Sequence, residues 1–222
     1  MDPSGQPVRA RTLFQVLNVE LLIPFAFVVG FFVLKNQEQR KRIALLGEVL
    51  SRFELEKLMQ TLMDGYMRAL GEDKPERQAQ VWGHLALQED RLNAQFRQFA
   101  DAFSKVWADD ALISTLPIAF PRAHKIFPAA TLDARKLMQL HADALAAAMA
   151  VPQQVAPKDR AFTITAELML MQHTCHWFCR SKAVASGRLL AQHKTRYEQV
   201  IAAVAVQTRT AYLAAISADK SK

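Results

Sequence analysis

The chain has 222 residues, 51% of them hydrophobic, with 7 glycines, 2 cysteines and a formal charge of +7. This length bounds one ordinary domain, or a small domain with an anchor, and the hydrophobic share excludes a disordered chain. Two cysteines exclude a disulfide framework, and the basic balance allows nucleic acid or anionic lipid as a partner without selecting either.

The first element in chain order is the most informative. After a tail at 1–13, residues 14–35 open with FQVLNVELLIPFAFVVGFFVL. About 21 helical residues reach roughly 31 Å, the thickness of a bilayer core. No small-x-small cleavage pattern follows the run, which ends in Phe31-Phe32-Val33-Leu34-Lys35. A retained transmembrane anchor is therefore predicted, not a removed signal peptide. Arg9 and Arg11 precede it, and Lys35, Arg40, Lys41 and Arg42 follow it. This bias predicts a single pass through a cell inner membrane of bacterial type, with the C-terminal domain cytoplasmic. The four following cations are candidate lipid-headgroup contacts. Asn18 and Glu20 are the polar residues of the membrane segment. Glu20 can reach headgroup level or pair with another membrane subunit.

Residues 36–218 read as a helical bundle, so the predicted fold is all-α: a transmembrane helix followed by four to five helices. In the hairpin at 36–108, Ile43, Leu46, Leu50, Phe53, Leu58, Leu62, Tyr66 and Leu70 fall at spacings of three and four, with one of five. They describe one stripe, on a helix that can run on from the membrane to Gly71 and Pro75. The second helix carries Val81, Leu85, Leu92, Phe96, Phe99, Phe103 and Val106, with Gln88 filling the gap. Glu89-Asp90 and Asp109-Asp110 read as solvated charges, because adjacent residues do not face each other on a helix.

Residues 109–130 hold Pro117, Pro121 and Pro128, which prevent a regular helix, yet keep Ile113, Leu116, Ile118, Phe120, Ile126 and Phe127. A packed crossover strap is predicted, with Pro117, Phe120, Pro121 and Phe127 as candidate partner-binding residues. Thr131 or Asp133 opens a third helix to about Ala150. A turn with Pro152 and Pro157 follows. A fourth helix runs from an Asp159 N-cap to about His193, and a fifth from a capping box at Thr195 and Glu198 to about Ser217. The tail at 219–222 should fray.

The stretch His173-Thr-Cys-His-Trp-Phe-Cys179 holds both cysteines. At 100° per residue, Cys175 and Cys179 share a side with Leu168, Met171, Ala183, Ser186 and Leu190, with His176 at its edge and His173 and Trp177 opposite. Thiolate and imidazole at this spacing could hold zinc or copper, with His141 as a fourth ligand. Arg180 and Lys182 could instead lower a thiol pKa and make a redox sensor. The favoured reading is packing, since free cysteine behaves as a small hydrophobe and no second ligand cluster exists. Glu167, in the apolar run ITAELMLM, needs a partner if buried, but the favoured reading is an edge residue bonded to a neighbouring Arg.

No Gly-rich phosphate loop, G-x-S-x-G elbow or H-E-x-x-H pattern is present, so no catalysis and no cofactor is predicted. The function expected is a non-enzymatic, membrane-anchored scaffold or interaction protein in a larger assembly, its partners the bilayer and other protein subunits. No small-molecule substrate is evident. The alternative is a metal- or thiol-based sensor on Cys175, His176 and Cys179. A third reading, a basic nucleic-acid-binding domain near the membrane, is disfavoured because the basic residues are dispersed.

Overall fold

The computed structural model describes the backbone of residues 8–150 and 156–217, and side chains from residue 22 onward within these ranges. Helices α1 (Val8–Leu50), α2 (Leu55–Leu70) and α3 (Pro75–Ser104) come first. A strap follows, made of β1 (Leu112–Ser114), the one-turn α4 (Ala123–Ile126) and β2 (Thr131–Asp133). Then come α5 (Ala134–Met149), α6 (Pro157–Cys179), α7 (Lys182–His193), α8 (Tyr197–Ala203) and α9 (Val206–Ser217). The fold is thus mostly helical, as predicted. The addition is a ribbon in which β1 and β2 pair antiparallel, Ile113 opposite Leu132.

Helix α6 is the axis of the bundle. Ile164, Leu168, Leu170, Thr174, Trp177 and Phe178 are all buried, and they point in several directions around the helix. A helix buried on most sides belongs at the centre, and α1, α2, α5, α7 and α8 pack around it. An aromatic ladder joins it to α3: Phe53 meets Phe99 at 6.1 Å, Phe99 meets Phe103 at 5.8 Å, and Phe103 meets Phe178 edge-on at 5.5 Å. Gly65 lets α2 lie close to α3, because a Cβ there would collide with Leu85 Cδ2.

Several predicted boundaries shift for identifiable reasons. The helix predicted to run unbroken to Gly71 turns at residues 51–54, where the stripe's one five-residue step, from Phe53 to Leu58, begins. The Ser51 hydroxyl donates back to Glu48 O (2.8 Å), and the Glu54 amide donates to Gln95 Oε1 (2.7 Å) on α3. The predicted fourth helix is two. It starts at Pro157, before Asp159, and breaks at Arg180, after which Ser181 Oγ caps α7 by accepting from Val184 N (3.3 Å). The fifth is also two. The Thr195 hydroxyl turns back to His193 O, and Gln199 Oε1 accepts the Arg196 amide (2.8 Å), so the helix starts one residue later than predicted.

Among the described residues no helix is long and apolar enough to cross a membrane. The span predicted over 14–35 is thus not shown: the described side chains begin at residue 22, and from there the apolar run closes at Leu34 and gives way to Lys35-Asn-Gln-Glu-Gln-Arg. The side chains of Asn18 and Glu20, and of Arg9 and Arg11, lie outside the described residues, as do Pro152 and the tail at 219–222.

Candidate functional site

Two surfaces stand out. The first is the N-terminal part of α1. Nine large apolar side chains between residues 22 and 34 are exposed, Phe27 by 76% and Ile23 by 68%. Phe31 is the partial exception, meeting Phe120 of the strap at 5.4 Å. Just beyond it, α1 holds the strap in place. Glu38 Oε2 accepts the Arg122 amide (2.8 Å), and Glu38 Oε1 pairs with Arg42 (2.7 Å). The Arg42 guanidinium also lies over the Phe178 ring at 5.7 Å and donates to Phe178 O. Of the four cations expected at headgroups, Arg42 therefore turns inward. Arg40 and Lys41 are exposed, and Lys35 lies 5.7 Å from the Phe32 ring. From the other side, Trp177 Nε1 donates to Ser114 O (2.9 Å), and Arg180 donates to the buried Gln39 Oε1 (2.6 Å). Pro121 is buried, whereas Pro117 and Phe127 are exposed and Phe120 is half-buried between Phe31 and Phe127.

The second surface is a cleft of about 880 Å³ between α1, α2, α6 and α7. Leu46, Met59, Met63, Phe96 and Met171 give it an apolar floor, and Cys175, His176 and Cys179 lie along one wall. The cysteines are half-buried wall residues, not interior core. Burial, then the Cys179 and Glu56 charges, push the Cys175 thiol up to about 12. Burial pushes Cys179 up to about 11, against Arg42, Arg180 and Arg188. Lys182 does not activate a thiol; it sits 5.4 Å from the Trp177 ring and 4.8 Å from the Tyr197 ring. His176 Nδ1 accepts from Arg188 (3.2 Å), which places the ring proton on Nε2. His141 does not line this cleft and bonds Thr174 Oγ1 at 2.8 Å inside the core. Among the described residues no group of three or more His, Cys, Asp or Glu side chains could hold a metal ion. A thiol raised this far holds little thiolate near neutrality, so both cysteines should react with iodoacetamide at pH 8 at least about 100-fold more slowly than free cysteine. Alkylation followed by mass spectrometry checks this, and rapid labelling of either would restore the thiol-sensor reading.

Behind α6 lies a buried polar cluster that the sequence reading did not assemble. The Thr174 hydroxyl donates to Leu170 O, so His141 Nε2 is the donor to it. His173 Nε2 bonds Ser186 Oγ at 3.1 Å, and its ring stacks on Tyr197 at 4.5 Å. The Tyr212 ring lies 5.7 Å from His141. Burial, with His173 beside it, lowers His141 to about 3; burial, with Lys182 and His176, lowers His173 to about 3. Glu167, expected at an edge, is instead buried, and its partners are the Ala205 amide (3.0 Å) and Thr208, not an Arg. Burial pushes its carboxyl up against both of these bonds. Glu89, read as solvated, is also buried, bonded to Tyr66 and ion-paired with Arg160.

The class that these features define is an all-α bundle carrying an apolar helical extension with a strap at its base. No known protein family, curated protein or solved structure matches the chain.

Proposed function

We propose that this is a non-enzymatic, membrane-anchored scaffold protein, held in a bilayer by the N-terminal part of α1 and presenting the bundle to other protein subunits. The observation that supports this reading is the exposed apolar stretch at residues 22–34. Covering nine such side chains is worth on the order of 10 kcal/mol, and a surface this apolar is normally met by lipid or by a partner protein. Lipid is favoured because the apolar side chains face several directions around α1, whereas one docking partner would cover a single stripe. Arg40 and Lys41 follow on the bundle side, which suits a cytoplasmic bundle under an inner membrane. The cleft beside Met59, Met63 and Met171 offers an adaptable surface for an assembly partner.

Fractionation of cells expressing the full chain tests the anchor. The chain should stay in membranes washed with alkaline carbonate. Two arginines, at Phe25 and Val29, should release it or cause aggregation, since each costs about 2.5–3.5 kcal/mol mid-bilayer on insertion scales. Recovery of the intact wild-type chain in the soluble fraction without detergent would overturn the reading.

A further inference from the structure

We infer that the strap between β1 and β2 is a second membrane contact, lying in the interface of an anionic bilayer and setting how the bundle sits against it. The inference rests on the bilayer reading of α1. Its own support is where the strap touches that helix. Phe120 packs edge-on against Phe31 at 5.4 Å, and Phe127 packs on Phe120 at 5.6 Å. Phe31 precedes Lys35 by four residues, about 6 Å along the helix axis toward the apolar end. A helix immersed to Leu34 therefore holds Phe120 at the boundary of acyl chains and headgroups, with the headgroup layer, about 5–7 Å deep, around the rest of the strap.

The strap's surface chemistry suits that position. Ile118, Ile126 and Phe127 are 65%, 54% and 42% exposed, although the bundle beside them has an ordinary core. Arg122 and Lys125 stand exposed among them, with Lys35 at the base of the cleft under the strap. The carboxylate lining that cleft, Glu38, is already engaged by Arg42 and by the Arg122 amide. Apolar tips with flanking cations match an interface of acyl chains below anionic headgroups. The strap is also braced for such a load: Ala183 N donates to Pro117 O and Trp177 to Ser114 O, tying it to α7 and α6.

The test uses the full chain in vesicles, with an environment-sensitive fluorophore on a single introduced cysteine. Phe27→Cys reports the anchor, Ile118→Cys and Ile126→Cys the strap, and Leu87→Cys on α3 an exposed reference surface. The background carries Cys175→Ala and Cys179→Ala, with native folding checked by circular dichroism. If that background does not fold, Ile118→Trp or Ile126→Trp in the otherwise native chain serves as the reporter, read as the quenching gained over that of the three native tryptophans. In phosphatidylcholine mixed with phosphatidylglycerol, positions 27, 118 and 126 should be quenched by nitroxide lipids and position 87 should not. Lys125→Glu should lower the strap's occupancy of the surface at least about fivefold, since it removes the worth of one cation at an anionic interface and adds a repelled anion. Quenching at 27 with none at 118 and 126 would overturn this inference and leave the anchor standing. No quenching at 27 would overturn both. Strap quenching unchanged by Lys125→Glu would overturn the role of anionic headgroups.

Discussion

Replacing Glu89 with alanine is expected to destabilise the bundle by about 3–5 kcal/mol, and Arg160→Ala by a similar amount. The carboxylate is 2% exposed on α3, where it accepts from the Tyr66 hydroxyl of α2 (2.6 Å) and pairs with Arg160 of α6. Arg160 also donates to Met149 O at the end of α5 (3.0 Å), so one ion pair ties four helices. Removing one partner strands the other charge in a medium that solvates it poorly, and this sets the size of the loss. Burial, and then the Glu89 charge, push the Tyr66 phenol up, so it remains a donor; Tyr66→Phe should cost about 2 kcal/mol. The double variant Glu89→Leu/Arg160→Met should recover most of what either alanine variant loses. Among the described residues Arg160 Nε finds no partner, so the native pair is not fully compensated. Urea unfolding of the full chain in mild detergent, followed by circular dichroism, measures all four. A near-neutral Glu89→Ala would return that carboxylate to solvent.

The position of Glu89 was legible in the sequence, although it was read otherwise. Leu85, Glu89, Leu92, Phe96, Phe99 and Phe103 follow spacings of four and three, the seam of a packed helix. Filling the gap with Gln88 instead preserved the expectation that charges face water, and the register was the better guide. The five-residue step from Phe53 to Leu58 was a similar signal, since a continuous helix has no place for it and the chain turns there. The break between α8 and α9 was not legible. Its cause is the Glu167 carboxylate on another helix, which accepts the Ala205 amide at the start of α9, and no local pattern near residue 205 announces it.

The cysteine stretch teaches a related point. A single wheel separates one apolar side from one polar side, but α6 is enclosed, so most sides of it are occupied. The side with Cys175 and Cys179 became the wall of a cleft, and the side read as opposite, with His173 and Trp177, became deep core. Histidine counts as polar on a wheel only while it can reach water. His173 does not, because Ser186, Tyr197 and Trp177 enclose it. The strap was legible as an apolar segment needing cover. Which helix it would lie on was not, since the contact of Phe120 with Phe31 joins residues distant in sequence.

Those enclosed histidines should make the bundle acid-sensitive well above the range of its ordinary carboxylates. His141 is 1% exposed and His173 0%, and each is held neutral to about pH 3. In the unfolded chain both take up protons near pH 6.5. Between these limits the unfolded state binds more protons, so stability is complete above about pH 7 and falls as the pH falls. From pH 7 to pH 5 the loss is about 2 kcal/mol for each histidine, about 4 kcal/mol for the pair. Burial also lowers His176 and His193, which adds to the loss on acidification, and two carboxylates bear on the same curve. Glu167, pushed up by burial, keeps its proton more readily when folded, so acidification just above the ordinary glutamate range favours the fold and offsets part of the loss. Burial alone would raise Asp133, but its bonds to Arg135 overcome this and lower it, so its contribution is lost only below the pH window in question. Glutamine can replace each imidazole while keeping a nitrogen near Nε2, the atom that reaches Thr174 or Ser186. The variant His141→Gln/His173→Gln should therefore stay folded and lose most of the slope, which near pH 5 corresponds to about two protons taken up on unfolding. Urea midpoints at pH 5 and pH 7 for both chains provide the comparison. Parallel pH dependence in the variant and the wild type would show that the acid sensitivity arises elsewhere.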